Sequence, residues 1–125
     1  MSSRRRILVV EDEEDLRQLY RVSLTLAGYD VEEAADGLEA LRRLDEAPPD
    51  LVVLDLMLPF IGGAAVHQEI ASHVLTRDIP VVIITGAVTD LSDLNVACIL
   101  RKPITPDELV RAVRDCLLSG AKGTV

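Results

Sequence analysis

Leu51-Val52-Val53-Leu54-Asp55 is a run of four apolar residues, two of them β-branched, that stops on a carboxylate. An apolar run of that length without polar alternation describes a strand covered on both faces, the environment inside a parallel sheet. Two other stretches read the same way: Ile7-Leu8-Val9-Val10 ends on Glu11-Asp12, and Val81-Val82-Ile83-Ile84 ends on Thr85. Between the runs the hydrophobic period changes. Leu16, Leu19, Tyr20, Leu24 and Ala27 recur at helical spacing, and the pattern stops at Gly28, a residue suited to a left-handed C-terminal cap. A short strand over residues 31–34 follows, then an Asp36-Gly37 turn into a helix through Leu38, Leu41 and Leu44 that Pro48-Pro49 closes.

The second half repeats the alternation. A third helix runs from Gly63 to about Val74, a short fourth helix occupies Thr89 to about Val96, and residues 98–100 make a last apolar strand. Thr105-Pro106-Asp107-Glu108 is a capping box with proline at the first helical position, and Leu109, Val113, Cys116 and Leu117 form the apolar stripe of a final helix. Five βα alternations with right-handed crossovers predict an α/β fold, a doubly wound, five-stranded parallel sheet with helices on both faces, and the order 2-1-3-4-5 is inferred from that fold class. Neither a repeat nor an interdomain linker interrupts residues 1–125, so a single domain is expected, with residues 1–5 and 119–125 as flexible ends.

Composition narrows the functional classes. A hydrophobic fraction of 49% over 125 residues is enough to build a core without disulfide or metal staples. The most apolar region, residues 51–66, is broken by Asp55, Pro59 and two glycines, so no membrane span is expected. Arg4, Arg5 and Arg6 precede only four apolar residues, too few for a signal-peptide core, and a cytoplasmic location is expected. A net charge of −8, with one Phe and two Tyr, disfavours nucleic-acid binding, and the three arginines read as a solvated end. Cys98 and Cys116 lack CxxC or Cys/His ligand spacing and read as buried reduced thiols. His67 and His73 read as exposed residues of the third helix without a role.

Ligands of doubly wound sheets bind beyond the carboxyl ends of the strands, so the residues that follow each apolar run carry the chemistry. Those residues are Glu11-Asp12, Asp55, Thr85 and Arg101-Lys102-Pro103. Three carboxylates converging on one rim repel one another, and one must protonate unless a cation neutralises them. An oxygen-ligated hard divalent ion, Mg²⁺, suits that set. A carboxylate held there is a nucleophile towards phosphorus, and Asp55 is the candidate for an aspartyl phosphate. Lys102 and Thr85 would then stabilise charge on the transferring oxygens. Each residue also has a purely structural reading: Glu11 and Asp12 as first-turn helix acids, Asp55 as a loop acid, Thr85 as a strand terminator, Lys102 as a surface charge beside a proline turn. Their common position at strand ends favours the chemistry.

Taken together, Glu11-Asp12, Asp55-Leu56-Met57-Leu58-Pro59, Thr85-Gly86 and Lys102-Pro103 make the chain resemble the receiver domain of bacterial two-component response regulators, including the single-domain chemotaxis type. The resemblance covers nearly the whole length and implies a flavodoxin-like fold. It implies that Asp12, Asp55 and the Met57 carbonyl coordinate Mg²⁺, with Glu11 reaching it through water. Lys102 would contact the phosphoryl group, Thr85 would move towards it, and the Lys102-Pro103 bond would be cis. The implied role is a phosphorylation-dependent switch, not a turnover enzyme, in a monomer or weak dimer. A sensor histidine kinase or histidine phosphotransfer protein would supply phosphate, and an unknown downstream protein would read it.

The chain also departs from that pattern. Ile99 stands where receivers often place Tyr or Phe, the interval from Thr85 to Lys102 is short, and Gly62-Gly63 replaces the usual polar-Gly pair. Met57 and Ala87 offer no acid or amide to orient water, so slow self-dephosphorylation is expected. No output domain is read in these residues, so regulation would act through another protein or by relay of phosphate. An interaction module that works without phosphorylation is the alternative. A phosphohydrolase of the haloacid dehalogenase type needs a second acid two residues after the nucleophile, where Met57 stands. A flavin or dinucleotide binder is disfavoured by Glu11-Asp12-Glu13-Glu14 and by the lack of GxGxxG.

Overall fold

The three apolar runs become β1 (Arg6–Val10), β3 (Leu51–Asp55) and β4 (Val81–Thr85), with β2 (Asp30–Ala34) and β5 (Cys98–Arg101) at the edges. They are seen in a computed structural model that describes residues 4–86 and 98–119, and the helix expected over residues 89–96 lies outside the described residues. The sheet is parallel throughout, in the order β2-β1-β3-β4-β5. Four helices are described: α1 (Glu14–Leu26), α2 (Gly37–Glu46), α3 (Gly63–Ser72) and α4 (Pro106–Ser119).

The two-residue period of a strand splits the core in two. Ile7, Val9, Leu51, Val53, Val82 and Ile84 face one side, where Tyr20 and Leu24 of α1 and Leu109, Val113 and Cys116 of α4 cover them. Leu8, Val10, Val52, Leu54, Val81 and Ile83 face the other, under Ala40 and Leu44 of α2 and Val66 and Ile70 of α3. Burial on both faces is why the central strands carry no polar alternation. Edge strand β2 is less enclosed and carries acids instead: Glu32 pairs with Arg6 at 3.0 Å, and Glu33 with Arg17 at 3.1 Å and Arg21 at 3.0 Å.

Local chemistry sets the helix ends. Gly28 adopts φ 105° just past α1, the left-handed conformation that glycine accepts without a Cβ penalty. At α2 the Asp36 carboxylate accepts from Glu39 N at 2.9 Å while Glu39 accepts from Ala35 N at 2.8 Å. At α4 the capping box is reciprocal: Thr105 Oγ1 accepts from Glu108 N at 3.1 Å, and Glu108 Oε1 accepts from Thr105 N at 2.7 Å.

Some expectations shift. Helix α3 ends at Ser72, short of Val74, because the buried Thr76 hydroxyl donates to Ile70 O at 2.7 Å and occupies the carbonyl that a further turn would use. His73 therefore follows the helix, exposed, 3.2 Å from Glu69, and His67 is half-buried, not exposed. Cys116 is buried but Cys98, on edge strand β5, is only half-buried; both are free thiols. Arg5, assigned to a flexible end, accepts from Asp30 N at 3.0 Å through its carbonyl. None of the described helices is long and apolar enough to cross a membrane.

Two stability predictions follow from packing. A Cβ on Gly63 would sit 2.4 Å from Asp55 O and 2.5 Å from Leu56 Cα, both backbone atoms. Gly63→Ala is expected to destabilise the fold by roughly 2–3 kcal/mol in urea unfolding, whereas Gly62→Ala, with nothing within 4 Å, should not. Burial, with smaller contributions from Cys98 and Asp115, pushes the Cys116 thiol up to about 11 from 9.0. A raised folded pKa means that stability is whole below pH 9 and is lost as pH rises towards 11, because the unfolded chain ionises first. The unfolding free energy, and with it the urea midpoint, should fall over that interval, by roughly 2–3 kcal/mol for this thiol. In Cys116→Ala the alkaline slope should be shallower; a slope equal to wild type would assign the loss elsewhere.

Candidate functional site

Parallel strands end at one edge of the sheet, and the register decides what meets there. Val10 lies beside Leu54, Asp55 beside Ile84, and Thr85 beside Arg101. Glu11, Asp55, Thr85 and Lys102 therefore occupy neighbouring strand ends, although ninety-one positions separate Glu11 from Lys102. Glu11, Asp55 and Thr85 are buried, at 1%, 2% and 0% exposure, and polar side chains are seldom that enclosed without partners.

The two acids share one partner, Lys102. The Lys102 ammonium donates to Asp55 Oδ2 at 3.0 Å and to Glu11 Oε1 at 3.1 Å. The second oxygen of each acid is also engaged: Asp55 Oδ1 accepts from Met57 N at 2.8 Å, and Glu11 Oε2 accepts from Glu13 N at 3.1 Å. Lys102 is held in turn by its own N–H donating to Thr85 O at 2.8 Å, and the Lys102-Pro103 peptide bond is cis. Asp12 is exposed, yet one carboxylate oxygen from each of Glu11, Asp12 and Asp55 lies within 4.8 Å of the others. Met57 bonds through its N–H, with its side chain exposed.

The electrostatics match the crowding. Burial pushes Glu11 up to about 7 from 4.5; the Glu13 N–H and the Lys102 ammonium oppose the rise, and the Asp55 charge adds to it. Burial alone would depress Lys102, but the hydrogen bonds to Asp55 and Glu11 outweigh it and raise the pKa, so the ammonium stays charged. The site is thus short of positive charge for its acids, and that acidic, oxygen-only donor set fits a hard divalent cation.

Sequence reasoning missed the brace behind the site. Arg17 Nη1 donates to Glu11 O at 2.9 Å while its Nε donates to Glu33 at 3.1 Å, tying the β1–α1 connection to β2. Nothing in the spacing of Arg17 sets it apart from other arginines of an exposed helix face. No residue of this rim lies in the cavity of about 440 Å³ between α2 and the end of α3, lined by Leu41, Asp45, His73 and Thr76 among others.

The family model described as the response regulator receiver domain matches residues 7–114. The chain belongs to this receiver-domain family. A relative named probable transcriptional regulator ycf27, from Porphyridium aerugineum, is 39% identical over 90% of this chain and 48% of its own length. The DNA-binding dual master transcriptional regulator RpaA of Synechocystis is 36% identical over 90% of this chain and 48% of its own. The receiver domain spans about half the length of these curated relatives. Among solved structures, the chemotaxis response regulator CheY4 of Vibrio cholerae superposes with a TM-score of 0.84 and 25% identity, covering 90% of this chain and 98% of that one. The receiver fold and a place in two-component signalling are thereby established.

Proposed function

We propose that this receiver domain is a phosphorylation switch in which Asp55 accepts a phosphoryl group from a phosphohistidine, on a sensor kinase or a histidine phosphotransfer protein. The observation that carries the proposal is the Lys102 ammonium bridging two buried carboxylates, Glu11 and Asp55, at the carboxyl edge of the sheet. A structural ion pair needs one acid; a second, competing acid beside it raises the charge cost and is kept where a site must bind cations and phosphate oxygens.

The residues divide the work. The Met57 N–H fixes one Asp55 oxygen and so sets the plane of the carboxylate. A lone pair of that carboxylate forms the new O–P bond as the P–N bond to the donor imidazole breaks, its electrons returning to the ring nitrogen. Lys102, already 3.0 Å from Asp55, then donates to the oxygens of the transferred group. Thr85, one strand over at the end of β4, offers its hydroxyl to the same group and links modification to the sheet edge. Asp12, Asp55 and the Met57 carbonyl would hold Mg²⁺, with Glu11 through water, and the ion would offset charge on the phosphoryl oxygens. The exposed Met57 side chain has no acid or amide with which to orient water, so hydrolysis of the acyl phosphate is slow and the domain is not a turnover enzyme. The protein works in the cytoplasm and alters its affinity for a protein partner.

Acetyl phosphate with Mg²⁺ tests this directly. The wild type is expected to gain one phosphoryl group by mass spectrometry, and the variant lacking the Asp55 carboxylate none. No gain on either would favour an interaction module that works without phosphorylation.

A further inference from the structure

The loop between β3 and α3 contains a costly choice that the fold does not require. Phe60, the single phenylalanine of the chain, has φ 66° and is 85% exposed. Among the described residues it is the non-glycine with positive φ, and bulky side chains avoid that region because Cβ crowds the backbone. Glycine or asparagine would occupy it at lower cost. The flanks impose the conformation. Gly63 packs on the Asp55 carbonyl and donates to Leu56 O at 3.1 Å. Leu58 and Ile61 pack against the core, and Ile61 O lies 2.6 Å from where a Cβ on Gly37 would be. With both sides docked, residue 60 must turn outward, and its ring buries almost nothing.

Backbone strain that brings no packing is retained where it serves a contact outside the fold. Phe60 stands five residues beyond Asp55 in the connection that also exposes Met57. Resting on the assignment of Asp55 as acceptor, we infer that Phe60 is the residue on which a protein phosphodonor seats itself, making it a determinant of donor specificity. Only a macromolecular donor has an apolar surface able to cover a phenyl ring, and it must stand at this rim while its phosphorus meets Asp55. A downstream protein carries no such positional requirement. A small acyl phosphate needs only Asp55, Lys102 and the cation.

The test compares wild type, Phe60→Ala and Phe60→Asn with two donors. One is acetyl phosphate with Mg²⁺; the other is the fastest donor to wild type within a panel of sensor-kinase core domains autophosphorylated with ATP. Acetyl phosphate labelling should stay within about twofold in both variants, whereas transfer from the kinase should slow about tenfold or more, as for loss of an aromatic anchor. Phe60→Asn should also melt higher by roughly 3–6 °C, because the strain is relieved. That combination, a more stable fold with a poorer protein donor reaction, separates a contact role from damage to the domain. Kinase transfer at the wild-type rate in both variants would overturn the inference while leaving the Asp55 assignment intact. Faster loss of the label with unchanged kinase transfer would overturn it too, since the ring would then be a shield against water. Failure of wild type to label with either donor would instead strike the acceptor assignment beneath it.

Discussion

Asp55→Asn is expected to take up no phosphoryl group from acetyl phosphate and Mg²⁺ while keeping its fold. The loss is complete because the substitution removes the attacking oxygen itself, and an amide is too poor a nucleophile to replace it. Folding survives for local reasons. An asparagine Oδ1 still accepts from Met57 N, where the acid accepts now at 2.8 Å, and Lys102 keeps its 3.1 Å bond to Glu11. Circular dichroism and intact-mass measurement on the same sample separate the two effects. A phosphorylated Asp55→Asn protein would move the acceptor elsewhere, Asp12 being the nearest exposed acid of the cluster. On wild type the label should persist well beyond seconds, and rapid loss in the presence of Mg²⁺ would contradict the role given to Met57.

Lys102→Met should damage both chemistry and fold. Removing the donor closest to the transferring oxygens is expected to slow labelling by about 10²–10³-fold. The fold suffers because Glu11 and Asp55, at 1% and 2% exposure, lose the one ammonium they share. Breaking a buried pair costs about 3–5 kcal/mol; since Lys102 is itself 22% exposed, roughly 2–3 kcal/mol is expected here after allowing for solvent screening. Glu11, already pushed up to about 7, also loses a group that holds it down. Mg²⁺ should recover part of the stability by binding the folded chain alone, and urea unfolding with and without the ion measures that recovery. Wild-type stability together with wild-type labelling would make Lys102 the surface charge that its sequence position also permits.

The two variants probe different parts of one arrangement, and the arrangement explains why a receiver domain tolerates such a site. Two buried acids around one lysine are stable because each carboxylate also accepts from a backbone N–H, Asp55 from Met57 and Glu11 from Glu13, while the Lys102 backbone N–H is anchored on Thr85 O. Arg17 completes the frame by holding the Glu11 carbonyl against β2. These bonds hold the two buried acids at fixed positions on the strand ends that carry them.

Much of this was legible in the residue order. Continuous apolar runs specify strands covered on both sides, and the helical period between them specifies crossovers, so the parallel sheet followed from periodicity and handedness, and its order from the fold class that these indicate. The same logic located Glu11, Asp12, Asp55, Thr85 and Lys102, because strand ends of a parallel sheet share one edge. Local capping chemistry was equally readable at Thr105, where the contact spans only three residues, whereas Asp36, read as part of a turn, is also the cap of α2. The end of α3 was not readable, since it depends on Thr76 folding back onto Ile70.

What the order of residues determined by itself, then, is the set of elements and the edge at which the reactive side chains gather, because period and propensity act over a few neighbours. Tertiary structure alone decided which acid is buried, that Lys102 bridges Glu11 and Asp55, that Arg17 braces the rim, and that Phe60 is forced outward with a left-handed backbone. Those outcomes depend on burial and on partners far away in the chain, and no local period encodes a distance between residues 11 and 102.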